Sequence, residues 1–426
     1  MEIKALHSLF LNCNAANTDT RKIKPNDMFF ALKGENFNGN SYAEKALELG
    51  AACAIVDEAK YHSSEKTILV NDVLETLKDL ATFHRNFLKI PIIALTGSNG
   101  KTTTKELINA VLSQKFITSA TIGNLNNHIG VPLTLLSMDG NTEIGIVEMG
   151  ANHLKEIEFL CNIAQPDYGY ITNFGKAHLE GFGGVEGVIK GKSEMYDYLI
   201  ANNKTIFVNV DDSIQVEKTQ NALIFSFGNS KQSANVGISF TEAQPFVKCH
   251  YNNLQIKSQL IGEYNFNNIA AAIAIGHYFK VSHTDIKKAI ESYTPSNNRS
   301  QIIQKGTNKI ILDAYNANPT SMAAALSNFE KQNGFKIAIL GDMFELGKDA
   351  KHEHQNIADL ASSLNIDEIA LVGQNFYKTV STQNKVNKYD TFEVFKETFG
   401  LSKLENTTLL IKGSRGMALE RILELL

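Results

Sequence analysis

The residues with the most legible chemistry are Thr96-Gly97-Ser98-Asn99-Gly100-Lys101-Thr102-Thr103. An apolar run through Ile92, Ile93, Ala94 and Leu95 has the length of a buried parallel strand, and Leu107, Ile108, Val111 and Leu112 follow at helical spacing. Glycines between a strand and a helix let successive backbone N–H groups curl around one point, and the new helix adds its positive end. That arrangement holds phosphate. Lys101 would reach the β- and γ-phosphates, and the Thr102 hydroxyl is placed to ligate Mg²⁺. The loop is the short form Gly97-x-x-Gly100-Lys101-Thr102, with Leu95 where the longer pattern has its first glycine.

Other reactive side chains follow strands. Glu148 closes the apolar run at 143–150, and in an open parallel sheet the ligand crevice lies off the carboxyl ends, on the phosphate-loop side. His178 lies beyond an expected strand at 168–173, where a histidine can serve as a ligand or simply as structure. A helix from about 185 carries Lys190 and Lys192, and periodicity alone places both lysines on its exposed side.

The elements that must position these groups alternate as strand and helix. Before the phosphate loop the pattern predicts strands at 27–32 and 51–56 and helices at 42–49 and 72–88, with a Gly/Asn-rich loop at 33–40. Residues 204–262 turn strand-rich and suggest an antiparallel extension of the sheet, before an Ala-rich helix at 265–279. Periodicity lapses at Pro295-Ser296-Asn297-Asn298-Arg299, a candidate linker. A second alternation then predicts strands at 309–312, 336–340, 368–372 and 408–411, and helices at 321–329, 353–364 and 417–425. The expected fold class is α/β in three domains: a small N-terminal α/β domain at 1–89, a central phosphate-loop parallel-sheet ATPase domain at 90–296, and a Rossmann-like C-terminal domain at 297–426.

Bulk properties narrow the partners. A net charge of −4 over 426 residues, with neither a basic stripe nor a polybasic run, gives no reason to expect nucleic acid and favours small-molecule ligands. No apolar run reaches bilayer length and no secretory core opens the chain, so no membrane insertion is expected. Cys13, Cys53, Cys161 and Cys249 have no paired spacing and read as buried free thiols in a reducing cytoplasm.

Taken together, seven segments resemble one family along nearly the whole chain, the ATP-dependent Mur ligases of peptidoglycan synthesis. They are 96–103, Asn124-Leu125-Asn126-Asn127-His128-Ile129-Gly130-Val131-Pro132, Glu148-Met149-Gly150, 173–178, 265–268, Asp313-Ala314-Tyr315-Asn316-Ala317-Asn318-Pro319 and Lys412-Gly413-Ser414-Arg415-Gly416. With Asp19-Thr20-Arg21 and residues 29–34, the pattern is most similar to members that join D-alanyl-D-alanine to UDP-N-acetylmuramoyl-tripeptide. The resemblance implies a cytoplasmic, monomeric enzyme that uses ATP and Mg²⁺. It implies an ATP site from Gly97, Ser98, Asn99, Gly100, Lys101, Thr102, Thr103, Asn268, Arg299 and Asp313. One metal falls to Thr102 and Glu148, a second to His178 and a carbamoylated Lys192, and Lys101, Glu148, His178 and Lys192 become the catalytic set. Thr20, Arg21, Asn38, Gly39 and Asn40 are implied at the UDP end, with Asn126, Asn127, Tyr315, Asn316 and Asn318 along the rest of the substrate. Another Mur-type or folylpolyglutamate-type amide ligase, or a phosphate-loop ATPase that ligates nothing, are the alternatives.

Overall fold

Parallel pairing of short strands begins the chain. The computed structural model describes residues 2–229 and 234–426. Ala16–Asn17, Met28–Phe30, Cys53–Val56 and Thr67–Leu69 form a parallel four-stranded sheet in sequence order. Side-chain alternation sends Met28 and Phe30 into the large core with Leu77, Leu80 and Ala81, and Phe29 into a smaller one with Ala43 and Ala46. The Val73–Leu88 helix, capped by Asp72 and ended by left-handed Lys89, also packs against the next unit. Arg85 donates to the Ala164 and Gln165 carbonyls and, at 2.7 Å, to the Asp167 carboxylate, while a His84 ring nitrogen meets the Met138 carbonyl at 2.8 Å. The first joint is therefore fixed by side chains as well as by the chain connection.

Among the described residues the central sheet has nine strands. Ile92–Thr96 lies between Tyr168–Ile171 and Ile144–Glu148, with Leu95 opposite Glu148 and Thr96 opposite Ile171. Here the strand order reverses, leaving a crevice at the carboxyl ends. The strand-rich region departs from the expected antiparallel extension. Thr205–Asn209, Leu223–Gly228 and Val236–Glu242 continue the parallel order, and only Lys248–Tyr251 and Leu254–Lys257 run antiparallel. The reason is the short Ser213–Lys218 helix, capped by Asp212, which supplies a crossover. The final pair closes through Asn252 and Asn253, both at positive φ, as a tight hairpin requires. Residues 230–233 of this region lie outside the described ones.

The C-terminal sheet has six strands, in the order Gln301–Lys305, Asn308–Asp313, Thr407–Lys412, Phe335–Gly341, Glu368–Val372, Val386–Tyr389. Only the first is antiparallel. Gln301–Lys305 and Val386–Tyr389 escape the sequence reading because edge strands are half solvated and carry no continuous apolar run. The helix expected at 417–425 is instead 3₁₀, Arg415–Met417 and Leu419–Leu425, broken at Ala418 with φ of +47°. The molecule is thus a three-unit α/β fold. All four cysteines are free, but Cys13 is only partly buried, a correction to the expected set. Among the described residues no helix is long and apolar enough to cross a membrane.

Candidate active site

Two glycines set the phosphate loop. Gly97 has φ of +145° and a Cβ there would stand 1.9 Å from the Thr172 hydroxyl oxygen; at Gly100, φ +78°, it would stand 2.5 Å from Asn268 Oδ1. No other residue type fits either place. The turn is clamped from the neighbouring strand end. The Ser98 and Asn99 N–H groups donate to the carbonyl and Oδ1 of Asn173, whose own amide returns to the Asn99 carbonyl. Asn173 was part of a family segment, yet its clamping role was invisible until the strands were adjacent.

Lys101 folds back, donating to the Gly97 carbonyl at 2.7 Å. Burial lowers the pKa of its ammonium and the Glu148 carboxylate opposes that shift. Glu148 is buried but satisfied, accepting from Thr102 Oγ1 at 2.9 Å and Asn126 Nδ2 at 2.8 Å. Hydroxyl and carboxylate oxygens side by side suit a hard divalent cation. Asn126 and Asn127 are used by the protein itself: the first holds Glu148, and the second accepts from the Ile129 and Gly130 N–H groups at the start of the Gly130–Leu136 helix.

Lys192 overturns the helix-face expectation. Lys190 is exposed, whereas Lys192 is wholly buried, because it falls on the apolar stripe with Val188, Met195 and Leu199. That stripe was the available signal. Its side-chain nitrogen has no hydrogen-bond acceptor among the described residues and lies 5.3 Å over the Phe182 ring. Burial, reinforced by Lys101, drives its pKa well below the lysine value. Burial thus favours the neutral, nucleophilic form of this amine. Among the described residues no three His, Cys, Asp or Glu side chains gather as a metal cluster. A cation here would depend on the Thr102–Glu148 pair and on a lysine converted to an anion.

His178 and Glu345 meet across the boundary between the second and third units, both left-handed at φ of +53° and +61°. The His178 contact holds the Glu345 carboxyl below its usual range. The same seam carries Asn318 Nδ2 to Asn99 Oδ1 at 2.7 Å, the Lys176 N–H to Thr320 Oγ1 at 3.0 Å, and Lys176 Nζ to Glu353 at 2.6 Å. Asn318 also caps the Pro319–Glu330 helix. On the third unit, Asp313 accepts from Lys412 Nζ at 2.6 Å and from the Ser300 N–H at 3.1 Å, and the Arg299 guanidinium lies 3.8 Å over the Tyr315 ring. Lys412, opposite Asp313 on the next strand, is a further site residue.

These walls enclose a cavity of about 850 Å³. Ser98, Asn99, Gly100, Lys101, Thr103, Asn126, Asn127, Glu148, His178, Asn268, Arg299, Asp313, Tyr315, Asn316 and Asn318 line it. Lys78, Phe159, Tyr264, Thr320 and Lys412 join them without having been singled out as site residues. Gly97, Thr102 and Lys192 are not among the lining residues. Thr20, Arg21, Asn38, Gly39 and Asn40 lie elsewhere, on the first unit. Asn40 among them is fully buried, donating to Asn38 Oδ1 and Asp57 Oδ1 and accepting the Asp57 N–H, so its side-chain amide is held by the protein itself.

Three family models match the chain in order: the Mur ligase family catalytic domain at residues 14–89, the Mur ligase middle domain at 95–276, and the Mur ligase glutamate ligase domain at 298–415. The UDP-N-acetylmuramoyl-tripeptide–D-alanyl-D-alanine ligase of Bacillus subtilis is 35% identical over 424 residues, covering 96% of this chain and 92% of the relative. Its Escherichia coli counterpart is 30% identical, covering 98% and 94%. A crystal structure of MurF from Acinetobacter baumannii superposes with a TM-score of 0.87 at 31% identity, over 99% of this chain and 97% of that one. The MurF ligase of Thermotoga maritima in complex with ADP gives 0.84 at 25% identity, over 98% and 97%.

Proposed function

The chain belongs to the Mur ligase family, and from that premise we propose that it joins D-alanyl-D-alanine to UDP-N-acetylmuramoyl-tripeptide at the expense of ATP, giving the UDP-muramoyl-pentapeptide precursor of peptidoglycan. One observation carries the reading: a single cavity in which a phosphate loop faces Asp313, Tyr315, Asn316 and Asn318 of another unit. Such a space can hold a nucleotide tail, a carboxylate and an amine together.

The chemistry dictates the order of events. A carboxylate repels nucleophiles and has no usable leaving group. Its oxygen attacks the γ-phosphorus of ATP, the bond to the β-phosphate oxygen breaks, and ADP leaves an acyl phosphate. The dipeptide amine adds to that carbonyl, loses a proton, and the tetrahedral adduct expels phosphate. The protein's work is alignment and charge neutralisation. Lys101 leaves the Gly97 carbonyl for the β- and γ-phosphates, the backbone from Gly97 to Thr103 cradles them through the N–H groups that Asn173 does not take, and Asn268 braces the turn. Arg299 and Asp313 approach the nucleotide from the linker and the third unit, while Tyr315, Asn316 and Asn318 border the incoming dipeptide.

Thr102 and Glu148 would hold one Mg²⁺, and His178 with carbamoylated Lys192 a second. Bound there, Mg²⁺ would neutralise the phosphoryl oxygens. The buried, partnerless amine of Lys192 supports carbamoylation, in which its lone pair adds to CO₂ and one N–H proton leaves to solvent. We assign residues 1–89 to the UDP end, 90–296 to ATP, and 297–426 to the dipeptide and the covering of the nucleotide. The enzyme is taken to work as a monomer in the cytoplasm, since one chain supplies every group named. The test is ADP release with each substrate omitted in turn. Release that requires both UDP-N-acetylmuramoyl-tripeptide and D-alanyl-D-alanine is expected; release with neither would overturn the reading.

A further inference from the structure

The linker before the third unit is gripped by the phosphate-loop helix. Glu106, on the Lys101–Leu112 helix, accepts from the Tyr293 hydroxyl at 2.5 Å and from Asn297 Nδ2 at 2.9 Å, with Lys105 Nζ 3.7 Å from the same carboxylate. Both donors lie within six residues before Arg299. A carboxylate taking a hydroxyl proton at that distance makes a strong, charge-assisted bond.

Arg299 is flanked by left-handed backbone. Asn298 and Ser300 have φ of +56° and +51°, a region asparagine tolerates but serine enters mainly when its surroundings hold it there. Beyond Arg299 the chain is tied again, the Ser300 N–H to Asp313 and the Ser300 hydroxyl to the Tyr264 hydroxyl at 2.7 Å. Between the two ties the guanidinium lies 3.8 Å over the Tyr315 ring beside the cavity, and its buried Nε has no hydrogen-bond partner among the described residues. An unsatisfied buried donor facing a cavity is poised for an anion.

We propose that Glu106 is a positioning residue that locks the linker to the phosphate-loop helix, so that Arg299 is aimed at the phosphates that the same helix cradles. The proposal rests on the assignment of Arg299 to the nucleotide. Glu106 touches no substrate and acts through Arg299 alone. The phosphate cradle and the aim of Arg299 are thereby coupled through one rigid helix.

A double-mutant cycle tests this. In the otherwise native chain, Glu106→Ala should lower kcat by about ten- to hundred-fold, as expected for misplacing a charge by about an ångström, with the KM for ATP nearly unchanged because the cradle is intact. Glu106→Gln keeps one acceptor oxygen and should recover part of the loss. In an Arg299→Ala background, Glu106→Ala should cost about two-fold or less. Tyr293→Phe, which removes only a hydroxyl, should show a smaller loss with the same disappearance, and carries the cycle if Glu106→Ala does not fold. Equal losses in the two backgrounds, or full turnover in Glu106→Ala, would overturn the proposal. Native ATP turnover in Arg299→Ala alone would instead remove the assignment beneath it.

Discussion

Two polar, glycine-bearing loops of this chain use their side chains in opposite ways. At 97–103 the turn is clamped from outside by Asn173, Thr172 and Asn268; Asn173 takes the Ser98 and Asn99 N–H groups, and Gly100, Lys101 and Thr103 still line a cavity. At 33–40 the loop's own side chains are spent, chiefly on the carboxylates of Asp57 and Glu58 just beyond the Cys53–Val56 strand. Lys33 pairs with Asp57 at 2.9 Å, Asn38 donates to Glu58 at 2.9 Å, and Asn40 spends its amide on Asn38 and Asp57. Gly39 is there because a Cβ would come within 2.3 Å of the Leu32 carbonyl. The lesson is that a polar loop stays open to a ligand when outside side chains hold its turn and leave its own reactive groups unspent. When its side chains are tied up by neighbouring carboxylates, a ligand must be met by what remains, which on the proposed reading is Thr20, Arg21 and the loop backbone.

That contrast breaks hardest at Lys101. Lys101→Ala should reduce ADP formation by about 10³-fold or more with the circular dichroism spectrum unchanged, since the Gly97 carbonyl it releases can bond water. Near-normal turnover would make the first loop no different from the second. Lys192→Ala comes next, with an expected loss of about 10²-fold and partial recovery on adding a short carboxylic acid with Mg²⁺, measured by phosphate release. The same lysine has a stability signature. Its folded pKa is depressed, so below its ordinary value of 10.5 the unfolded chain binds a proton that the folded one does not, and stability attributable to this group rises with pH. Lys192→Met should therefore melt higher than the native chain at neutral pH in CO₂-free buffer, and the gap should narrow as pH approaches 10.5. A constant gap would mean the amine is charged in the fold.

Smaller effects probe the loop at 33–40 and its surroundings. Asn40→Ala leaves buried partners unpaired and should cost about 1–3 kcal/mol in urea unfolding. It should raise the KM for the UDP-linked substrate and spare kcat, which steady-state kinetics would separate. Arg21→Ala should move least: its side chain is 87% exposed and meets only Asp19. A several-fold rise in that same KM with an unchanged melting temperature is expected. An unchanged KM would take Arg21 out of the UDP end.

How legible was the molecule in its sequence? Short-range features were plain. The strand, glycine turn and helix around Lys101 form one contiguous stretch, and the buried strand cores at 92–96, 144–148, 336–340 and 408–411 show as apolar runs. The half-solvated edges at Gln301–Lys305 and Val386–Tyr389 left no such trace, and the parallel course of Thr205–Asn209 and Leu223–Gly228 turned on a six-residue helix too short to carry a period. Lys192 was readable in principle from the stripe of Val188, Met195 and Leu199.

By itself, then, the sequence determined the reactive groups and the local turns that carry them, because a turn depends on the φ values its own residues tolerate. Only the tertiary structure decided which groups share a space: that Asn173 clamps Asn99, that Glu106 holds the linker before Arg299, and that Asn40 is consumed inside its own unit. Those pairings join residues 17 to 191 positions apart. Hydrogen bonds across such separations form only after the strands have brought their ends together, and no local propensity encodes them.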